Sequence, residues 1–173
     1  GGGEMDLALF ILRIVVGILL VGHGGQKLFG WFKGPGLDGF TGWLASIGFR
    51  PARIWASIAG ICEFGGGLLF ALGLLSPLGS LAIAASMITA IAKVHWPKIW
   101  VTEGGIELPL TNLVVVLAVG IAGPGAISVD AMSGTELPGW LATLGVIAVL
   151  AGWILALVTS ASRPQQGAQA SSR

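Results

Sequence analysis

Charge is scarce in this 173-residue chain: Asp, Glu, Lys and Arg make up only 10% of it, against a hydrophobic fraction of 54%. Soluble domains carry about a quarter charged residues. There are too few here to coat a globule in water, and a soluble enzyme is excluded. The mean hydropathy of +0.89 excludes disorder of the whole chain, because there is ample apolar surface to bury. A basic surplus is missing as well. Nine Lys/Arg against eight Asp/Glu leave a net charge of +1 with no basic run, so a nucleic-acid partner has no electrostatic footprint. Cysteine is nearly absent. Cys62 alone allows no internal disulfide, no CxxC pair and no Cys-based zinc site, which removes the dithiol membrane oxidoreductases. There is no Ser/His/Asp array, phosphate loop or nucleotide fingerprint: Gly65-Gly66-Gly67 follows no strand and lies within an apolar run.

Long apolar runs are what the chain does have. A helix needs about 20 apolar residues to cross a bilayer, and five segments approach or reach that length: 7–29, 54–75, 78–94, 108–121 and 140–159, the fourth being the shortest. Pro77, Pro109 and Pro138 stand near helix starts, where the missing N–H costs nothing. The run Gly1–Glu4 ahead of Met5 reads as an appended segment and is set aside. The first span does not read as a cleavable signal peptide, being long, acidic at its start and without a small-residue cleavage site. The pattern predicts an all-α integral membrane protein with one transmembrane domain over 5–160. The tail over 161–173, rich in Gln, Ser and Ala, is predicted to be disordered.

The few charges outside the spans are ordered. Lys27, Lys33, Arg50 and Arg53 fall in or beside the first loop, Lys93 and Lys98 flank the third, and Arg163 and Arg173 lie in the tail. The fourth loop holds only Asp130 and Glu136. Basic residues on alternate loops, read by the positive-inside rule, put the N-terminus outside and the C-terminus in the cytoplasm. Within the first loop Phe40, Trp43, Leu44 and Ile47 recur at helical spacing, predicting a short interfacial helix over 37–48. Tryptophans at 31, 43, 55, 96, 100 and 140 mark predicted span ends as an aromatic belt, whereas Trp153 lies mid-span, facing lipid or a partner. Ala82, Ser86 and Ala90, and likewise Ala148, Gly152, Ala156 and Ser160, form small-residue stripes. Such stripes fit close helix packing in a bundle interior, and the second also fits contact with another subunit.

Two ionisable residues lie well inside spans, Arg13 and Glu63. A charge at mid-bilayer costs roughly 2.5–3.5 kcal/mol on insertion scales, so such residues face a bundle interior and find partners. Around Glu63 the same-face neighbours are small: Ala59, Gly60, Gly66 and Gly67. On the first helix Arg13, Gly17, Gly24 and Lys27 share a stripe, with His23 one turn before Lys27. Lys93, His95 and Glu107 come from the same end of the bundle. The set Arg13, His23, Lys27, Glu63, His95 and Glu107 predicts a polar cluster able to move protons or hold a polar headgroup such as a quinone carbonyl. The alternative is a structural Arg13–Glu63 ion pair fixing helix register, with Lys27 and Lys93 snorkelling to headgroups. Haem held by His23 and His95 is disfavoured with only two histidines in the chain. A metal site at His95 and Glu107 lacks a third ligand at motif spacing.

These residues also form ordered motifs: Arg13, Gly17, Gly22, His23, Gly24, Lys27 and Leu28; then Gly60, Glu63, Gly66, Gly67, Leu72, Gly73 and Leu74; then Gly104, Gly105, Glu107 and Pro109; then Gly123, Pro124, Gly125, Ser128 and Asp130. In this order the chain resembles the DoxX family of small bacterial membrane proteins, related to the DoxD subunits of thiosulfate:quinone oxidoreductase. Where that family commonly has a basic and an aromatic residue, Ala126 and Ile127 stand here. The resemblance implies a multi-pass bacterial plasma (inner) membrane protein. Its core would be a four-helix transmembrane bundle, with a fifth C-terminal transmembrane helix outside the resemblance. It further implies a redox association, with quinone or a small sulfur compound as ligand, and a homo-oligomer or a soluble redox protein as partner. Against this stands a non-enzymatic binder, carrier or assembly partner. The catalytic residues stay unassigned on either reading.

Overall fold

In the computed structural model, residues 1–159 are described, and all regular structure among them is helical. The helices are α1 (Gly2–Phe29), α2 (Gly36–Ser46), α3 (Ala52–Leu72), α4 (Leu78–Ala90), α5 (Glu107–Ala122), α6 (Val129–Ser133) and α7 (Gly139–Thr159). A π turn, Ile91–His95, prolongs α4. Gly2–Phe29, Ala52–Leu72, Leu78–His95 and Gly139–Ala156 are long and apolar enough to cross a membrane. The chain is thus a helical membrane bundle. At 16 residues, α5 reaches only about 24 Å. The first helix takes in the residues set aside at the N-terminus, and the expected tail, with Ser160 of the second small-residue stripe, lies outside the described residues.

The register between helices follows from glycine. α1 and α3 run antiparallel, with Gly17 against Gly67 and Ala71, Gly24 against Phe64, and Leu28 against Gly60. A Cβ on Gly24 would stand 2.4 Å from the Phe64 backbone nitrogen, so only glycine permits this approach. Close backbone contact is how helices associate where lipid is as apolar as the side chains. α4 lies antiparallel on α3, Gly66 meeting Ala82 and Gly79, and α5 packs back on α4 through Gly120 and Ser80. One core joins Leu9, Val16 and Leu20 of α1 to Phe70, Ile83, Met87, Val116 and Val119. α7 lies along α4 in the same direction. Its start meets α4 at Gly145 and Leu81, and Ala156 near its end joins a second core with Phe40, Leu44, Phe49 and Ala56.

The loop before and through α6 clasps the opposite end of the bundle. Asp130 accepts hydrogen bonds from Leu75 N (2.9 Å) and Ser76 N (2.8 Å), while Asp6 accepts from Ala126 N (2.8 Å). Arg13, 1% exposed, donates from Nη1 to Ala71 O at 3.2 Å and from Nη2 to Ile127 O. Ala71 O is one of the carbonyls that the end of α3 leaves without an intrahelical partner, so Arg13 caps a neighbouring helix. Gly73, left-handed at φ 62°, ends α3, and a Cβ there would collide with the guanidinium. At 126–127 the contacts are made by backbone atoms, which Ala126 and Ile127 supply as well as any other residue.

Candidate ligand-binding site

Glu63 is 2% exposed. Its Oε1 accepts from Lys27 Nζ at 2.5 Å and from Ser86 Oγ at 2.7 Å. Its Oε2 is buried and has no hydrogen-bond partner among the described residues. Glu63 is thus joined to α1 through Lys27, not through Arg13 or His23. The Arg13–Glu63 pair does not form. In the α1–α3 register Arg13 stands beside Ala71, about 12 Å along α3 from Glu63. Lys27 lies 14 residues, about 21 Å, further along α1 in the same direction. The buried carboxylate meets a lysine that enters from the helix end, with its Nζ 5.2 Å from the centre of the Phe40 ring. Cation–π attraction adds to the ion pair there, and α2 thereby covers the lysine.

The small residues around Glu63 admit neighbouring helices rather than open space. Gly60 is filled by Leu28, Gly66 by α4 and Gly67 by α1. The opening lies on the side of Ala59 and Cys62, which line a cavity of about 530 Å³ with Glu63. That volume lies within the roughly 300–1,000 Å³ of small-molecule sites. α2 contributes Phe40, Trp43 and Leu44 to its wall, α3 adds Trp55 and Ile58, and α4 adds Ala82, Ala85, Ser86, Thr89 and Ala90. Phe40 and Trp43 stack at 5.7 Å between ring centres, so one aromatic face is a continuous plate. The far wall is α7, through Ala148, Val149, Gly152, Trp153 and Ala156. The two small-residue stripes thus face a cavity rather than a closed helix contact, and a Cβ on Gly152 would meet nothing within 4 Å. Trp153, expected at lipid or a partner, lines this cavity, and its indole Nε1 is buried without a hydrogen-bond partner among the described residues.

The remaining sequence candidates separate. His95 reaches the cavity wall from the π turn, and its Nδ1 lies 2.6 Å from Gly104 O. The carbonyl can only accept, so Nδ1 donates. His23 is exposed and stands off the cavity, because Gly24, about 100° further round α1, takes the contact with α3. Glu107 is exposed and accepts from Val101 N at 2.9 Å, so it holds the loop before α5 and is not part of the cavity wall. Among the described residues no group of three His, Cys, Asp or Glu is placed to hold a metal ion. Ser86 and Trp153 are the polar site residues that sequence reasoning missed. The small-residue stripe reads Ser86 as a packing residue, and its depth matching that of Glu63 is the signal that marks it.

The profile of the DoxX family matches residues 8–96 of this chain. That stretch carries Lys27, Glu63, Ser86 and His95, and it is more than half of the sequence. The chain belongs to the DoxX family. Inner membrane protein YphA of Escherichia coli (strain K12) is 30% identical to this DoxX protein over 140 residues, covering 75% of this chain and 92% of YphA. No solved structure matches it.

Proposed function

We propose that this DoxX protein binds a lipid-soluble, quinone-class small molecule inside the membrane, as a redox-associated component. The observation that carries the reading is an apolar, aromatic-walled cavity of about 530 Å³ that closes on Lys27, Glu63 and Ser86. Apolar walls with a few convergent polar groups suit an amphipathic ring on an alkyl chain. The residues fit such a group. Lys27 keeps donors beyond the one it gives Glu63, and its partly exposed side chain leaves them reachable. The buried Glu63 Oε2 lacks a partner of its own. A quinone brings its own two-electron chemistry; the chain's part is to bind and orient the ring, keep water away and hold an ion pair at its polar end. A small sulfur oxyanion fits less well, since the walls are apolar and the Glu63 carboxylate repels an anion.

The similarity to YphA supports an inner-membrane location. The basic loops support a cytoplasmic position for the end that carries α2 and Lys27. The purified protein in detergent, titrated calorimetrically with decylubiquinone and decylubiquinol, should show saturable binding of at least one form. Gly152→Leu adds a side chain where a Cβ meets nothing, so it should remove that binding while leaving thermal unfolding unchanged. Absence of saturable binding of either form would refute the proposal.

A further inference from the structure

Two polar atoms of residues on the cavity wall lack partners, and they come from different helices: Glu63 Oε2 on α3 and Trp153 Nε1 on α7. Their demands are opposite. Glu63, ion-paired with Lys27, is an ionised carboxylate, and its Oε1 already accepts from Lys27 and Ser86. An ionised carboxylate only accepts, and an indole N–H only donates. A ligand end that is purely carbonyl can serve Trp153 or a free N–H of Lys27, but it meets Glu63 as acceptor against acceptor. A hydroxyl can donate to Glu63 and still accept from Lys27 or Trp153.

We infer that the site selects by hydrogen donation, taking the hydroxylated, reduced form of its ligand — a lipid-soluble hydroquinone — over the carbonyl form. Glu63 is the discriminating acceptor and Trp153 is an orienting donor supplied by α7. The inference rests on the reading that the cavity binds quinone-class molecules. It also extends the site beyond residue 96, where the family match ends, and gives the fifth membrane helix a part in ligand choice. A second copy of the chain need not supply that wall, because α7 of the same chain forms it.

The test compares one ligand in two redox forms, decylubiquinol and decylubiquinone, titrated anaerobically into the intact detergent-solubilised protein. A hydrogen bond to a charged group corresponds to about 10- to 100-fold in affinity, so the quinol should bind that much more tightly. Glu63→Gln places an amide, which can donate, where Oε2 stood. It should cancel or reverse the preference. Trp153→Phe should weaken both forms by a similar factor, about 2- to 10-fold, and leave their ratio intact. Saturable binding of both forms with equal affinity by the unaltered protein would overturn the inference while leaving the binding reading in place. An unchanged ratio in a folded Glu63→Gln protein would overturn it equally. If that variant does not fold, the ratio in the unaltered protein and in Trp153→Phe decides. Binding of neither form defeats the underlying reading first.

Discussion

Lys27 is the residue on which the buried carboxylate depends. Its side chain is 24% exposed and that of Glu63 3%, so the pair straddles the boundary between the bundle interior and its surface. Removing one member of a largely buried pair strands the other, at about 3–5 kcal/mol. Lys27→Met should therefore lower stability by about that amount in reversible unfolding, and Lys27→Met with Glu63→Leu should recover most of it. Arg13→Met with Glu63→Leu should show no such recovery, since Arg13 serves the Ala71 and Ile127 carbonyls instead. The sequence made Arg13 and Glu63 conspicuous, because both lie at depths where charge is costly. It did not reveal that Arg13 has backbone partners. Carbonyls at a helix end carry no side-chain signature, and the inter-helix register that brings them to Arg13 depends on contacts between glycine backbones. Lys27 was legible as a candidate through its place on the Gly17–Gly24 stripe.

At the scale of the helix, the α1–α3 contact depends on where a side chain is impossible. Gly24→Ala should destabilise the bundle by about 1–3 kcal/mol, since its Cβ would stand 2.4 Å from the backbone of Phe64 and neither helix can retreat without opening the core. Gly65→Ala, on the same pair of helices, meets nothing within 4 Å and should be neutral or stabilising by up to about 1 kcal/mol through helix propensity. Thermal or denaturant unfolding of the two variants compares them directly. The helices that form the bundle were readable from apolar run length, and α2 fell within two residues of the span predicted from Phe40, Trp43, Leu44 and Ile47, the last of these standing at its C-cap. The π turn at Ile91–His95 was not readable. It is a shift in backbone hydrogen bonding within an ordinary apolar sequence, yet it stands where His95 meets the cavity. The stripes of small residues were correctly placed on the inner faces of α4 and α7. Whether two such faces touch or stand apart is decided by the bulk of third parties, here Trp43, Trp55 and Trp153, and no stripe records that.

The whole molecule is polar in a directional sense. One end gathers Lys27, Lys33, Arg50, Arg53 and Lys98 with α2 and the cavity, and the other gathers Asp6, Asp130 and the α5–α7 connection. The positive-inside bias acts on short loops near span ends, and every loop here is short enough to count. The helices α1, α3, α4, α5 and α7 run up and down the bundle and leave the start of α1 and the end of α7 at opposite ends of it. Read by the positive-inside rule, the basic loops at the α2 end predict the N-terminus outside. Cys62 replaced by Ser gives a background without thiols. On it, single cysteines at Lys98 and Glu136, both exposed, report opposite ends. In intact cells a membrane-impermeant maleimide should label Glu136→Cys and spare Lys98→Cys until the membrane is permeabilised. Labelling of Lys98→Cys in intact cells would invert the topology. It would also turn the end that carries Lys27 and α2 outward, changing which compartment Lys27 faces.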